Sequence, residues 1–194
     1  INVKGLIKTT NSGTVNITNS NSNIVIGDNS ANDNYITSDG KVTITQTNGN
    51  ILNSGHKKTH IKTTNGANLV MNVTNGAIGK EVGPCEGGIC TGIGADSRDL
   101  TKSVNVAVDG TVNATSTKGS NASLINIASL NKDMKVDQIK ADGRVILLAD
   151  NSNSPTQTSG GTKYSILNRT SNAANPNVEG AGISIIASGN IGET

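Results

Sequence analysis

The stretch DGKVTITQTNGNIL, Asp39 to Leu52, decides how this chain is read. Val42 and Ile44 alternate with Thr43, Thr45 and Thr47, the period-two pattern of a half-buried strand. Asn48-Gly49 interrupts the pattern, and Ile51 and Leu52 resume an apolar run. Taken alone, Asn-Gly between two such runs signals a type I′ hairpin, because that turn needs positive φ at both central residues. An antiparallel sandwich would follow.

The rest of the chain argues for a different use of the same dipeptide. Alternating apolar pairs recur at Val15-Ile17, Val42-Ile44, Met71-Val73, Val104-Val106, Ile125-Ile127, Val145-Leu147 and Ile183-Ile185. A second short apolar run follows a glycine step at Asn48-Gly49, Asn75-Gly76, Asp109-Gly110 and Ser188-Gly189. The unit is strand, glycine turn, strand and polar return over roughly 17 to 30 residues, the spacing of a solenoid. In a solenoid these four dipeptides become corners that carry the chain from one face of a coil to the next. Successive coils then pair in parallel, where the local hairpin rule demands antiparallel pairing.

A longer echo overlies the short one. GNILNSG (49–55) returns as YSILNRT (164–170), and NGAIGKE (75–81) as GNIGET (189–194), which implies a super-repeat of about 115 residues. Val3–Ile17 is echoed more distantly by Val136–Leu148, so the first copy carries about 17 extra residues, close to one coil. The expectation is an all-β, right-handed, single-stranded parallel β-helix of about eight coils, running unbroken over residues 1–194 as part of a longer array. Long loops are expected at 27–39, 82–97 and 151–177.

Composition supports many thin layers over one thick core. Among 194 residues, 33% are hydrophobic and 1% aromatic, with no Trp or Phe and only Tyr35 and Tyr164. Net charge is +2 with 15% charged residues, unlike the high charge typical of disordered chains. No basic stripe marks a nucleic-acid footprint, and no apolar run reaches the roughly 18 residues of a membrane span. The chain opens INVKGLIK without Met, which reads as a start inside a longer protein with any targeting segment upstream.

Four phrases carry a family resemblance: NLVMNVTNGAIGKEVG (68–83), GIGADSRDLTKSVNVAVDGTVNATS (92–116), SLINIASLNKDMKVDQIKADGRVILLAD (123–150) and GISIIASGNIGE (182–193). They look like the repeats of large bacterial filamentous adhesins, the filamentous haemagglutinin-like and leukotoxin-like exoproteins. Arg98-Asp99-Leu100 departs from the pattern, which often has Pro before that Leu. The resemblance implies a non-catalytic stalk of a secreted cell-surface fibre, exported unfolded by type V secretion. It also implies a receptor on a host or neighbouring cell, self-association into a filament, and no cofactor. The competing readings are a polysaccharide-binding or polysaccharide-degrading β-helix and the stalk of a contact-dependent toxin-delivery protein.

Site chemistry is sparse in the sequence. Cys85 and Cys90 lie in the glycine-rich GPCEGGICTG. In the extracellular setting implied by the resemblance, an even cysteine count favours a structural disulfide, with free thiols and zinc as alternatives. His56 and His60 of HKKTH have a helical metal-site spacing, but on a strand they would stand about 13 Å apart, so they read as solvated residues of a polar return. Asp28, Ser30, Asn32 and Asn34 alternate somewhat like a calcium loop. Asp33 stands where that loop needs Gly and Asp39 where it needs Glu, so a plain polar loop is expected. Asp137, Asp142 and Asp150 are the candidate acids for a glycosidase-type pair, yet the aromatic platform of a sugar groove is missing. Five Asn-X-Ser/Thr sequons occur, at Asn16, Asn72, Asn113, Asn121 and Asn168. The abundant Asn has a structural use, since stacked side-chain amides form ladders along a β stack. Thr43, Thr45 and Thr47 would form the outward face, and ice binding by such an array is a minor alternative given uneven coil lengths.

Overall fold

A computed structural model describes residues 1–28, 35–81, 99–118, 123–150, 162–169 and 176–192. Among them there is no helix, and the strands form two sheets. The first sheet contains β1 (Asn2–Val3), β2 (Ile7–Lys8), β4 (Ile24–Ile26), β5 (Ile36–Ser38), β7 (Ile51–Asn53), β8 (Ile61–Thr63), β10 (Ala77–Ile78), β11 (Val104–Ala107), β13 (Leu124–Leu130), β15 (Arg144–Asp150) and β18 (Gly182–Ala187). The second contains β3 (Val15–Asn21), β6 (Val42–Asn48), β9 (Leu69–Thr74), β12 (Val112–Thr117), β14 (Met134–Ala141), β16 (Ile166–Asn168), β17 (Val178–Glu179) and β19 (Ile191–Gly192). Every strand pair among the described residues is parallel. The arrangement is compatible with a parallel β-helix.

The chain visits the two sheets in turn. A long strand of the second sheet, such as β6, is followed by two short strands of the first, β7 and β8, before β9 returns to the second. Val15, Val42, Leu69 and Val112 share one register position, as do Ile17, Ile44, Met71 and Ala114. Over β3, β6 and β9 the step is 27 residues, the separation between Asn48 and both Asn21 and Asn75. From β12 onward the two short strands fuse. β13 pairs with β10 through Leu124 and Ile125 and with β11 through Ile127 to Ser129.

The alternating pairs supply the core. Val42, Ile44, Met71, Val73, Val104, Val106, Ile125, Ile127, Val145 and Leu147 belong to one continuous buried cluster, with Ile17 and Ile185 packed against it. Ile24, Ile51 and Ile78 stack in register and are fully buried. Burying each such side chain contributes about 1.5–3 kcal/mol, and both tyrosines join this largely aliphatic core, Tyr35 within it and Tyr164 packed against it. β13 and β15 are buried on both faces, as expected of nearly continuous apolar runs in a parallel sheet. Their outer sides form small clusters, Leu124 and Ile146 with Ala77, and Ala128, Leu130 and Leu148 with Leu100.

Asn48-Gly49 is no hairpin. β6 pairs with β3 and β9, and the dipeptide leads from the second sheet to β7 of the first. Gly49 has positive φ (129°) but Asn48 does not; at Asn75-Gly76 only Asn75 does (60°). Asp109-Gly110 and Ser188-Gly189 make the reverse passage, from the first sheet to the second. The double positive φ of a type I′ turn occurs instead at Asn11-Ser12 (57° and 60°) and Asn65-Gly66 (54° and 72°). These turns are closed by Gly13 N–H to Thr10 O (3.1 Å) and Ala67 N–H to Thr64 O (3.0 Å), and both also join different sheets.

Asparagine ladders fasten the corners. Asn75 Nδ2 donates to Asn48 Oδ1 (3.0 Å) and Asn48 Nδ2 to Asn21 Oδ1 (3.5 Å). Alongside, Asn23 Oδ1 accepts Asn50 N–H (2.9 Å) and Asn50 Oδ1 accepts Ala77 N–H (2.8 Å). The longer sequence echo behaves differently. Ile51 and Ile78 lie in the first sheet and their echoes, Ile166 and Ile191, in the second. The two expected loops at 27–39 and 151–177 are also interrupted, by β5 and β16, whose single buried Ile36 and short Ile-Leu pair are too brief to stand out as periodic.

The stack ends on apolar edges. Ile1, Leu6, Ile183 and Ile191 are the exposed large hydrophobic residues among those described, at 48–64% exposure. They lie at or beside β1, β2, β18 and β19, four of the six strands that pair on one side only among the described residues, the others being β3 and β17.

Candidate functional site

Function on a rigid scaffold usually sits on its loops. Among the described residues, 54–60 joins β7 to β8 in the first sheet, Gly27 and Asp28 follow β4, Tyr35 precedes β5, and 99–103 precede β11. These parts are tied down by two polar clusters.

The first gathers Asp28, Tyr35, Ser54 and His60. Tyr35 and His60 stack with ring centroids 6.2 Å apart and planes 17° from parallel. Main-chain bonds place them side by side, with Ile7 N–H on Tyr35 O and Ile36 N–H on His60 O. Tyr35 Oη donates to Asp28 Oδ1 (2.7 Å), and Ser54 Oγ donates to Asp28 O (3.2 Å). Gly27, at φ 101°, makes the cluster fit, because a Cβ there would lie 2.6 Å from Ser54 Oγ and 3.2 Å from the His60 ring. His60 is fully buried, which corrects its reading as a solvated residue. The return loop folds inward because Tyr35 offers an apolar face for the imidazole.

The second cluster belongs to Asn53 and Asn105, both buried. Asn53 Nδ2 donates to the carbonyls of His56, Leu100 and Ser103 at 2.7–3.0 Å, while its Oδ1 accepts Gly55 and His56 N–H. Asn105 Nδ2 reaches the carbonyls of His56, Lys58 and Leu100, and its Oδ1 accepts Ser103 Oγ (2.6 Å). The main chain of the 54–60 loop is thus held down by two amides from neighbouring strands. His56 is half-buried, and its Nε2 is enclosed without a hydrogen-bond partner among the described residues.

Other expected groups do not converge. Asp137 lies on β14, Asp142 follows it and accepts Lys118 N–H (2.7 Å), and Asp150 ends β15. Asp142 and Asp150 are separated by the length of β15, roughly 25 Å at about 3.3 Å per residue. No group of three or more His, Cys, Asp or Glu among the described residues is placed to hold a metal ion. Cys85, Cys90, Asn121 and the loop residues Ser30, Asn32, Asp33 and Asn34 lie outside the described residues. An open recess of about 410 Å³ is lined by Asn50, Leu52, Ala77, Lys80 and Glu81, with Arg144 Nη1 on Glu81 Oε1 at 3.0 Å.

At the corner between β11 and β12, Asp109 collects cations. Its Oδ1 meets Lys132 Nζ (2.6 Å), its Oδ2 accepts Gly66 N–H (2.7 Å), and Lys135 Nζ donates to its carbonyl (2.9 Å). The Lys132 hydrogen bond, then the Gly66 amide, hold its carboxyl below the ordinary 3.8.

The second sheet presents a polar outer side. Asn16, Thr43, Val70 and Asn113 align across β3, β6, β9 and β12, beside a row of Thr18, Thr45, Asn72 and Thr115. These positions stay in register although the intervening segments differ in length. Val70 and the asparagines nonetheless break any uniform threonine array.

No protein-family model, curated protein or solved structure matches this chain. Asn65-Gly66, the Asn-Gly pair that takes the double positive φ, was not among the four dipeptides singled out in the sequence, because no alternating apolar pair directly precedes it. Asn53, Asn105 and the Tyr35–His60 stack join positions 25 to 50 residues apart and leave no local signal.

Proposed function

We propose that the chain is a stretch of right-handed, single-stranded parallel β-helix of about eight coils, acting as a non-catalytic adhesive stalk. It would belong to a secreted filament on a bacterial cell surface, similar to the filamentous haemagglutinin-like and leukotoxin-like exoproteins. At about 4.8 Å per coil, eight coils would extend roughly 40 Å.

The observation that supports this reading is the repeated passage of the chain between two all-parallel sheets, with buried aliphatic side chains kept in register from one strand to the next, as in the Val15–Val42–Leu69–Val112 and Ile24–Ile51–Ile78 rows. Stacked repeats that bury a continuous thin core are the build of an extended stalk. Receptor contact is assigned to the 54–60 loop between β7 and β8.

The test is adhesion. Beads coated with the chain should bind cultured host cells or neighbouring bacteria, and replacing residues 54–60 by a short Gly-Ser connector should reduce binding. Soluble polysaccharides incubated with the chain should yield no new reducing ends. Beads no more adhesive than inert controls would refute the adhesive role, and released reducing ends would favour the polysaccharide reading.

A further inference from the structure

Three Asn-Gly pairs stand in the described residues, at Asn48-Gly49, Asn65-Gly66 and Asn75-Gly76. Asn-Gly is the dipeptide most prone to spontaneous deamidation, because glycine has no Cβ to shield its backbone nitrogen. We infer that the fold confines this reaction to Asn65, which makes it the modification site among the three.

The chemistry needs only water. Gly66 N loses its proton to hydroxide and attacks Asn65 Cγ. The N–Cγ bond forms, the Cγ–Nδ2 bond breaks, and Nδ2 takes a proton from water and leaves as ammonia. Water then opens the succinimide at either carbonyl to give aspartate or isoaspartate, with one water consumed and no oxidation or reduction.

Asn48 and Asn75 are held away from this path. Asn48 Oδ1 accepts Asn75 Nδ2 (3.0 Å), its own Nδ2 reaches Asn21 Oδ1 (3.5 Å), and the attacking nitrogen, Gly49 N, is bonded to Asn75 O (3.3 Å). Gly76 is buried so tightly that the position of a Cβ would lie 1.9 Å from Gly49 O, leaving its peptide no space to swing. Attack at either site requires the ladder to open first.

Asn65 and Gly66 are both exposed, and nothing lies within 4 Å of where a Gly66 Cβ would be. No hydrogen bond of the Asn65 carboxamide is found among the described residues. Gly66 N–H is also bonded, to Asp109 Oδ2 (2.7 Å), a stronger charge-assisted bond than the 3.3 Å one at Gly49 N, but it is a single exposed bond with open space around Gly66, so its opening displaces no packed corner. The product would place a second carboxylate near Asp109, and isoaspartate would add a methylene to the main chain of a turn joining the two sheets.

The experiment is a time course of the intact chain in mildly alkaline buffer, with the urea-unfolded chain alongside as the intrinsic reference. Deamidation is located in proteolytic peptides by mass-spectrometric fragment ions. Relative to the unfolded chain, Asn65 should slow by about tenfold or less, as one exposed bond must open, and Asn48 and Asn75 by at least about tenfold more than Asn65, as a packed hydrogen-bonded corner must open. The inference is overturned if either ladder residue reacts as fast as Asn65, or if folding slows Asn65 as much as it slows them.

Discussion

Gly76→Ala would place a methyl group 1.9 Å from Gly49 O and 2.7 Å from Gly49 C, both main-chain atoms. Real Cβ atoms approach no closer than about 3.0 Å, so one corner must move away from the next by more than an ångström. A shift of that size, in strands spaced about 4.8 Å apart, is overpacking that costs about 2 kcal/mol. It also strains bonds anchored at the corner, Asn75 Nδ2 to Asn48 Oδ1 and Ser116 Oγ to Gly76 O. At about 1 kcal/mol each these add about 2 kcal/mol, while the stiffer unfolded chain returns about 0.7. The net loss is about 3 kcal/mol. With a urea dependence of about 2 kcal/mol per molar, the unfolding midpoint followed by far-ultraviolet circular dichroism should fall by about 1.5 M. Gly5→Ala is the matched control, since nothing lies within 4 Å of its Cβ position and its change should stay within about 0.5 kcal/mol. Equal midpoints for the two variants would refute the claim that close corner stacking, and not turn flexibility, requires glycine at position 76.

Ile51→Ala, in the middle of the Ile24–Ile51–Ile78 stack, should cost about 2–5 kcal/mol in the same urea titration. Asn53→Ala strips the buried Leu100 and Ser103 carbonyls of a donor and should cost about 3 kcal/mol, with faster tryptic cleavage after Lys57 and Lys58 as the loop loosens. Asp109 has a folded-state pKa below its ordinary 3.8, so its stabilising effect is present above that value and lost as pH falls through the lower one. Melting temperatures measured between about pH 5 and about pH 2 should therefore decline less for Asp109→Asn than for the parent chain.

Much of the architecture was legible because the core uses period-two pairs. Val42-Ile44 and Ile125-Ile127 announce which face is buried, and their parallel pairing follows once Asn48-Gly49 is compared with its counterparts. The step of 27 residues was harder to see, because only β3, β6 and β9 keep it. The loudest echoes, around Ile51 and Ile166, join segments that lie on different sheets. Local resemblance of strand-and-turn phrases does not encode which face a strand joins. The histidines misled for a related reason. His60 is flanked by Lys57, Lys58 and Thr59, which describe a solvated loop, and only Tyr35, one strand away in space, explains its burial.

The register over β3, β6 and β9 also has a mechanical meaning. Bonds between neighbouring strands run across the sheets, so tension on the chain ends opens them a few at a time, as a zipper opens. Releasing one step of 27 residues would free about 90 Å of extended chain in exchange for about 4.8 Å of stack height. Under pull, such a segment would yield in successive lengths and dissipate work at each, so that a tether built from it would give way gradually before it broke.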